Sequence, residues 1–395
     1  MAPMGSPGAL RSQNALAAGC GASVRSADRR GHSRPLGDGR RRFGAALLSG
    51  PAILAACTGG GVGDLLAAMP AVQALSRHFQ TRLTVLTTPY AAPLIAGQPS
   101  VAEVISDDGG TPVAGLSDRL QARRFTHGVV FWSNARAAAA LQRAGIPERV
   151  GQARRLYSFR YTKHVTVRSE LGDTDSHWTD IQMDYARALG AQPQPDDFRV
   201  RIEPHPEDQQ QADELIRCTA AGPYVVLHAV RGISTQAAGW PRATFARLAD
   251  ALADEFSLPV VLSGSQADRA IVSDIVSHMR TQGYNAAGLT TLLGFAALSA
   301  GARAVVALDS GPMHIAAAAG APTVGIFALR TDHPRRWRPL GPRVAVVGPS
   351  YPCPRFCRKE TCRTFACYGA LPVEAIVATA RSLSDAAAIP AAQAT

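Results

Sequence analysis

No apolar run in this 395-residue chain approaches the ~20 residues that a membrane-spanning helix needs, so any membrane contact is expected to be peripheral. Aromatic residues are few, at 6%, and no basic helix is evident, which argues against a dedicated nucleic-acid reader. Paired C-x2-C knuckles are also lacking. Four of the seven cysteines, Cys353, Cys357, Cys362 and Cys367, cluster as C-x3-C-x4-C-x4-C among the loop-forming residues Pro352, Pro354 and Arg358. Four thiols invite a zinc reading, but without the knuckle spacing and in a reducing compartment the expectation is thiols that bind no metal.

What is present points to a large folded protein. Hydrophobic residues make up 46% and charged residues 18%, enough for two domains rather than one. The net charge of +11 is uneven: residues 1–50 hold eight Arg against two Asp, and the rest of the chain carries only a mild excess. That excess fits an anionic small molecule or an anionic membrane surface. Residues 1–50 mix Gly, Ala, Ser, Pro and Arg without apolar periodicity and are expected to be disordered, or an artefact of an upstream start codon. At their end, Arg40-Arg41-Arg42-Phe43 followed by Leu54-Ala55-Ala56-Cys57 imitates a twin-arginine signal and lipoprotein cleavage site. Cleavage there would remove Ala52 to Ala56, which the fold needs as its first strand.

From residue 51 onward, short apolar runs alternate with helical patterns, the signature of an α/β protein with parallel sheets. Ala52–Cys57 reads as a strand, Thr58–Asp64 as a glycine loop, and Leu65, Leu66, Met69, Val72 and Leu75 as one face of a helix. The loop is not the dinucleotide fingerprint, because the position due for its third glycine is Asp64, and an acid there would repel a pyrophosphate. Further strands are expected at 83–87, 101–105, 127–131 and 149–151, and a cationic loop at 152–172 contains Arg154, Arg155, Arg160, Lys163 and Arg168. That loop is either a solvated surface or a clamp for an anionic acceptor. A helix from His177 to Leu189 closes a first Rossmann-like domain, 51–190, and a linker covers 191–222. A second such domain spans 223–370, with strands at 224–228, 259–262, 304–308 and 322–327; residues 371–395 form a last helix and tail. In open α/β sheets ligands sit beyond the carboxyl ends of the strands, so the site is expected in the cleft between the two domains.

The sharpest local feature is Asp309-Ser310-Gly311-Pro312-Met313-His314, between the strand 304–308 and a small-residue helix. Ser310 is placed to cap that helix and Pro312 to occupy its first turn. Such a helix start is either an ordinary capped turn or, through its free N–H groups and dipole, a phosphate site.

Taken together, these motifs resemble the family 9 glycosyltransferases, the ADP-heptose:lipopolysaccharide heptosyltransferases. The resemblance rests on Gly63-Asp64 and Pro70, the helix at His177, Trp240-Pro241, Ser263-Gly264, the Asp309 to His314 run, and Gly320-Ala321-Pro322-Thr323-Val324. It covers roughly residues 51 to 385. It implies a GT-B fold, acceptor in the first domain and nucleotide sugar in the second, with no metal or other cofactor. By position, Asp64 matches the proposed general base, and Ser310, Gly311 and His314 would hold the donor diphosphate, with Asp309 and Met313 in the same loop. Gly61, Gly63, Arg154 and Arg155 fall on the acceptor side. Members commonly carry Lys or another base just before the W-P pair, where this chain has Ala237-Ala238-Gly239. Arg231, following the strand that ends at His228, or Arg242 would take its place.

The implied function is inverting transfer of a heptose or related sugar from an ADP-sugar to an anionic lipopolysaccharide core, at the cytoplasmic face of the inner membrane. The alternatives are a UDP- or GDP-sugar enzyme of the same fold, and a non-catalytic binding protein on a degenerate transferase fold.

Overall fold

The computed structural model describes residues 51–230, 239–329, 333–353 and 362–386. The expectations for residues 1–50, Arg231 and Cys357 fall outside the described residues. The chain builds two six-stranded parallel sheets. The first contains β1 (Ile53–Cys57), α1 (Val62–Phe79), β2 (Leu83–Thr87), β3 (Val101–Ser106), α2 (Val113–Gln121), β4 (His127–Val130), α3 (Ala135–Arg143), β5 (Glu148–Gln152), β6 (Lys163–Val165) and α4 (Trp178–Arg187). A helix, α5 (Pro206–Cys218), then leads to β7 (Val225–His228), α6 (Arg242–Phe256), β8 (Val260–Leu262), α7 (Arg269–Ser277), β9 (Gly283–Asn285) and α8 (Leu292–Ala300). The chain continues through β10 (Val305–Leu308), α9 (Gly311–Ala318), β11 (Thr323–Ile326), α10 (Pro334–Trp337), β12 (Val344–Val347), α11 (Ala366–Gly369) and α12 (Val373–Ala386).

The strand orders are β3-β2-β1-β4-β5-β6 and β12-β11-β10-β7-β8-β9. Each sheet therefore reverses direction once, between β1 and β4 and between β7 and β10, where the connecting loops diverge and open a crevice. Parallel strands with helices on both faces must be apolar throughout, and β1, β7, β8, β10 and β11 are buried along their whole length. This is the expected α/β architecture, and the twin sheets are those of a GT-B fold.

Helix α1 does more than cover its sheet. Its buried side includes Leu65, Leu66, Met69, Val72 and Leu75, as the periodicity predicts. One apolar cluster runs from these residues into Leu298, Ile315 and Ala316 of the second sheet's helices, so the two halves share a core. Polar contacts add to it: the Ile202 N–H donates to the Ala318 carbonyl (3.0 Å), and His177 Nε2 lies 2.7 Å from the Arg338 carbonyl.

Several elements differ from the sequence expectation, the short helices α10 and α11 among them. β6, β9 and β12 lie at sheet edges, and α5 occupies part of the stretch expected as a linker. Trp240 is 2% exposed and stacks on Phe245 (5.3 Å between ring centroids), with Phe365 and Tyr368 against its other sides. The cysteine-bearing segment is thereby tied to the core of the second half. Within it the Cys353 and Cys367 thiols are hydrogen-bonded neighbours, and burial pushes Cys367 up to about 12. Among the described residues no set of side chains able to hold a metal ion is present.

Candidate active site

The first sheet's crevice is occupied by the start of α1. The helix begins at Val62, earlier than the glycine loop suggests, with Gly61 at the N-cap and Asp64 in the first turn. The reason is local: the Asp64 carboxylate reaches back to the Gly61 N–H (2.9 Å) and closes the turn. Gly59 and Gly60 are required for space. A Cβ on Gly59 would fall 2.0 Å from the Trp132 ring, and one on Gly60 2.5 Å from the Asp64 carboxylate.

Burial pushes the Asp64 carboxyl above the ordinary aspartate value, against hydrogen bonds from the Gly61 N–H, the Trp178 indole and its own N–H that hold it down. The carboxylate lines a small pocket with Cys57, Phe131, Trp132 and Gln182. With its amide oriented to satisfy both ends, Gln182 donates to the Phe131 carbonyl (2.7 Å) and shares with Asp64 the single N–H of the Trp178 indole (3.1 Å). Asp64 is thus a held, partly desolvated carboxylate, the state in which such a group is a competent base.

The second sheet brings the start of α9 to the same place. Ser310 has the extended backbone of an N-cap, but its hydroxyl donates to the Leu308 carbonyl (2.9 Å) rather than accepting from the helix. The expected side-chain cap is therefore not made. Pro312 stands in the first turn as expected, and the start of α9 carries no side-chain cap. A helix start in that condition presents N–H groups and the positive end of its dipole to an anion.

The two helix starts meet. A Cβ on Gly63 would lie 3.0 Å from His314 Cδ2 and 3.2 Å from Nε2, and one on Gly311 would lie 3.1 Å from Val62 Cβ. Close approach explains glycine at both positions. His314 is 8% exposed, and burial, with neighbouring His177 adding to it, pushes its imidazole down to about 4. It is neutral at pH 7. Nδ1 of His177 accepts from the Thr179 N–H (3.2 Å), so Nε2 carries the proton donated to the Arg338 carbonyl.

The other candidates are dispersed. His228 ends β7, buried, with Nδ1 3.0 Å from Ser263 Oγ, and burial lowers it to about 4. Asp309 follows β10, its N–H donating to the Ile326 carbonyl (3.0 Å). Met313 is 0% exposed and packs with Ala307 and Phe327, so it anchors α9 from inside instead of facing the cleft. Arg154 is exposed at φ +59°. Arg155 pairs with Glu170 and donates to Ser133 Oγ (3.0 Å). Arg242 is ion-paired with Asp274 (2.8 Å) and ties α6 to α7.

Sequence reasoning missed the tryptophans. Trp178 packs edge-on against Trp132 (5.3 Å) and tilted against Trp337 of the second half (5.1 Å), so three of the four tryptophans meet beside Asp64 and His177. The only available signal was the placement of Trp178 directly after the helix-starting His177.

The family model for glycosyltransferase family 9 (heptosyltransferase) matches residues 113–366, more than half of the chain. The chain belongs to this family and is a glycosyltransferase. The lipooligosaccharide heptosyltransferase 2 of Haemophilus ducreyi is 26% identical over 72% of this chain and 85% of its own. Among solved structures, a family 9 glycosyltransferase from Veillonella parvula has a TM-score of 0.71 at 19% identity, covering 85% of this chain and 98% of that one. The ADP-heptose lipopolysaccharide heptosyltransferase II of E. coli has a TM-score of 0.69 at 22% identity, covering 86% and 100%.

Proposed function

We propose that this enzyme transfers a heptose or a related sugar from an ADP-sugar to a lipopolysaccharide core acceptor, with inversion at the anomeric carbon. The observation that supports the reading is the meeting of the two helix starts, with Gly63, the neighbour of Asp64 in the first turn of α1, packed against His314 of α9. In this reading Asp64 takes the proton of the acceptor hydroxyl as its oxygen attacks the anomeric carbon. The bond from that carbon to the diphosphate breaks, and the departing charge develops at the N–H groups of α9. Neutral His314 supplies a hydrogen bond but no charge, so cationic help must come from elsewhere, and Arg231 remains our proposal for it. Relatives named as ADP-heptose and lipooligosaccharide enzymes support the choice of donor and acceptor.

We further place the enzyme on the cytoplasmic face of the inner membrane as a peripheral protein. Among the described residues no helix is long and apolar enough to cross a membrane. Support for surface contact comes from the segment after β5, where Leu156 is 100% and Phe159 69% exposed. The Arg160 guanidinium lies 5.0 Å from the Phe159 ring, and Arg154 and Lys163 are exposed nearby in sequence. Exposed apolar side chains in a segment rich in basic residues fit an anionic bilayer.

Thermal shift with ADP, UDP and GDP tests the donor. ADP alone should raise the Tm. A response to UDP or GDP and not to ADP would overturn the donor assignment.

A further inference from the structure

Beside the Asp64 pocket lies a separate cavity of about 170 Å³. That is more than ten times the ~10–15 Å³ that admits one water. Its apolar wall is formed by Trp132, Trp178 and Tyr185. Gln152, Arg155 and Glu170 contribute its polar side. These polar groups are already organised. Arg155 pairs with Glu170, Gln152 Nε2 donates to Glu170 Oε1 (2.8 Å), and Arg155 Nε donates to Ser133 Oγ (3.0 Å). One cation and one anion cancel, leaving a neutral rim with both donors and acceptors opposite aromatic side chains.

That combination selects its occupant. A free carboxylate or phosphate would meet Glu170, and a free cation would meet Arg155. A pyranose ring presents C–H groups to aromatic surfaces and hydroxyls that both donate and accept. Phe131, Trp132 and Gln182 line both this cavity and the Asp64 pocket, so an occupant here sits next to the reacting position. We propose that the cavity between β4, β5 and α4 is a subsite for one uncharged pyranose ring of the acceptor, adjoining the ring whose hydroxyl reaches Asp64. The proposal rests on the reading of the first half as the acceptor side, and it departs from the expectation that Arg155 clamps an anionic group.

The test uses the full chain and two probes, methyl α-mannopyranoside and the methyl glycoside of glucuronic acid, followed by saturation-transfer NMR without any nucleotide. The wild type should transfer saturation to the mannoside and not to the glucuronoside. Glu170→Gln keeps the shape but leaves Arg155 uncompensated, and should shift the preference toward the glucuronoside by about fivefold. Trp132→Leu should abolish the mannoside signal while the thermal response to ADP is retained. With a core oligosaccharide as acceptor, Glu170→Gln should alter the acceptor KM and leave the donor KM unchanged. No mannoside signal from the wild type, a wild-type preference for the glucuronoside, or an unmoved acceptor KM would each overturn the subsite. An absent ADP response in the wild type would sink the donor assignment instead, and the sugar titrations would still decide the subsite.

Discussion

Gly63 on α1 and His314 on α9 face each other across the two halves of the molecule, with 3.0 Å between the position of a Gly63 Cβ and the imidazole. His314 is buried at 8% exposure. Gly63→Val should therefore force the two helix starts apart. A displacement near 1 Å at a reacting centre costs about 10²-fold in rate, so we expect turnover to fall by about that factor, with weakened ADP binding. Steady-state kinetics with ADP calorimetry would check both.

The raised Asp64 carboxyl makes a prediction about stability. Its folded pKa lies above the unfolded value of 3.8, so the charged form is disfavoured by folding and the contribution to stability is lost as pH rises through the folded value. Asp64→Asn keeps an oxygen for the Gly61 N–H and removes the buried charge. The variant should have an unchanged or higher Tm at pH 7, and the difference from wild type should vanish in acid. A lower Tm at neutral pH would count against the desolvated carboxylate.

His228 and His314 titrate in the opposite sense. Both are depressed from 6.5 to about 4 by burial, so the stability they contribute is complete above pH 6.5 and is lost as pH falls toward 4. The Tm of the wild type should drop across that window. His314→Gln should flatten the drop, and an equally steep fall in that variant would exclude His314 as its source.

The legible parts of this fold are those where local pattern and burial agree. β7, β10 and β11 are mostly apolar and wholly buried because both faces of a central parallel strand are covered. Lys163-His164-Val165 and Gly283-Tyr284-Asn285 carry no such pattern, because an edge strand is only partly buried and its side chains answer to solvent. In α5 only Ala212 and Leu215 are buried, too few to mark a helix in so polar a segment. At the site, Asp64 and the Ser310 to His314 turn were readable because each is a contiguous motif. Trp132, Trp178 and Trp337 are far apart in the chain and meet only through tertiary packing, Trp337 across the two halves.

The exposed segment after β5 predicts membrane behaviour. Leu156 has no packing to lose, and burying a Leu or Phe side chain contributes about 1.5–3 kcal/mol each. The double substitution Leu156→Ser with Phe159→Ser should reduce partitioning onto vesicles containing phosphatidylglycerol by at least tenfold. Its Tm should match that of the wild type. Co-sedimentation at two salt concentrations would separate the apolar part from the contribution of Arg154, Arg160 and Lys163.

The most direct test of the proposed mechanism is turnover of Asp64→Asn with ADP-heptose, measured beside its affinity for ADP. General-base catalysis contributes about 10²–10⁴-fold, so transfer should fall by that order while ADP binding stays at the wild-type value. In the wild type, the acidic limb of kcat/KM should lie above the ordinary aspartate value of 3.8 and disappear with the substitution. Turnover within a few-fold of wild type would remove Asp64 as the base.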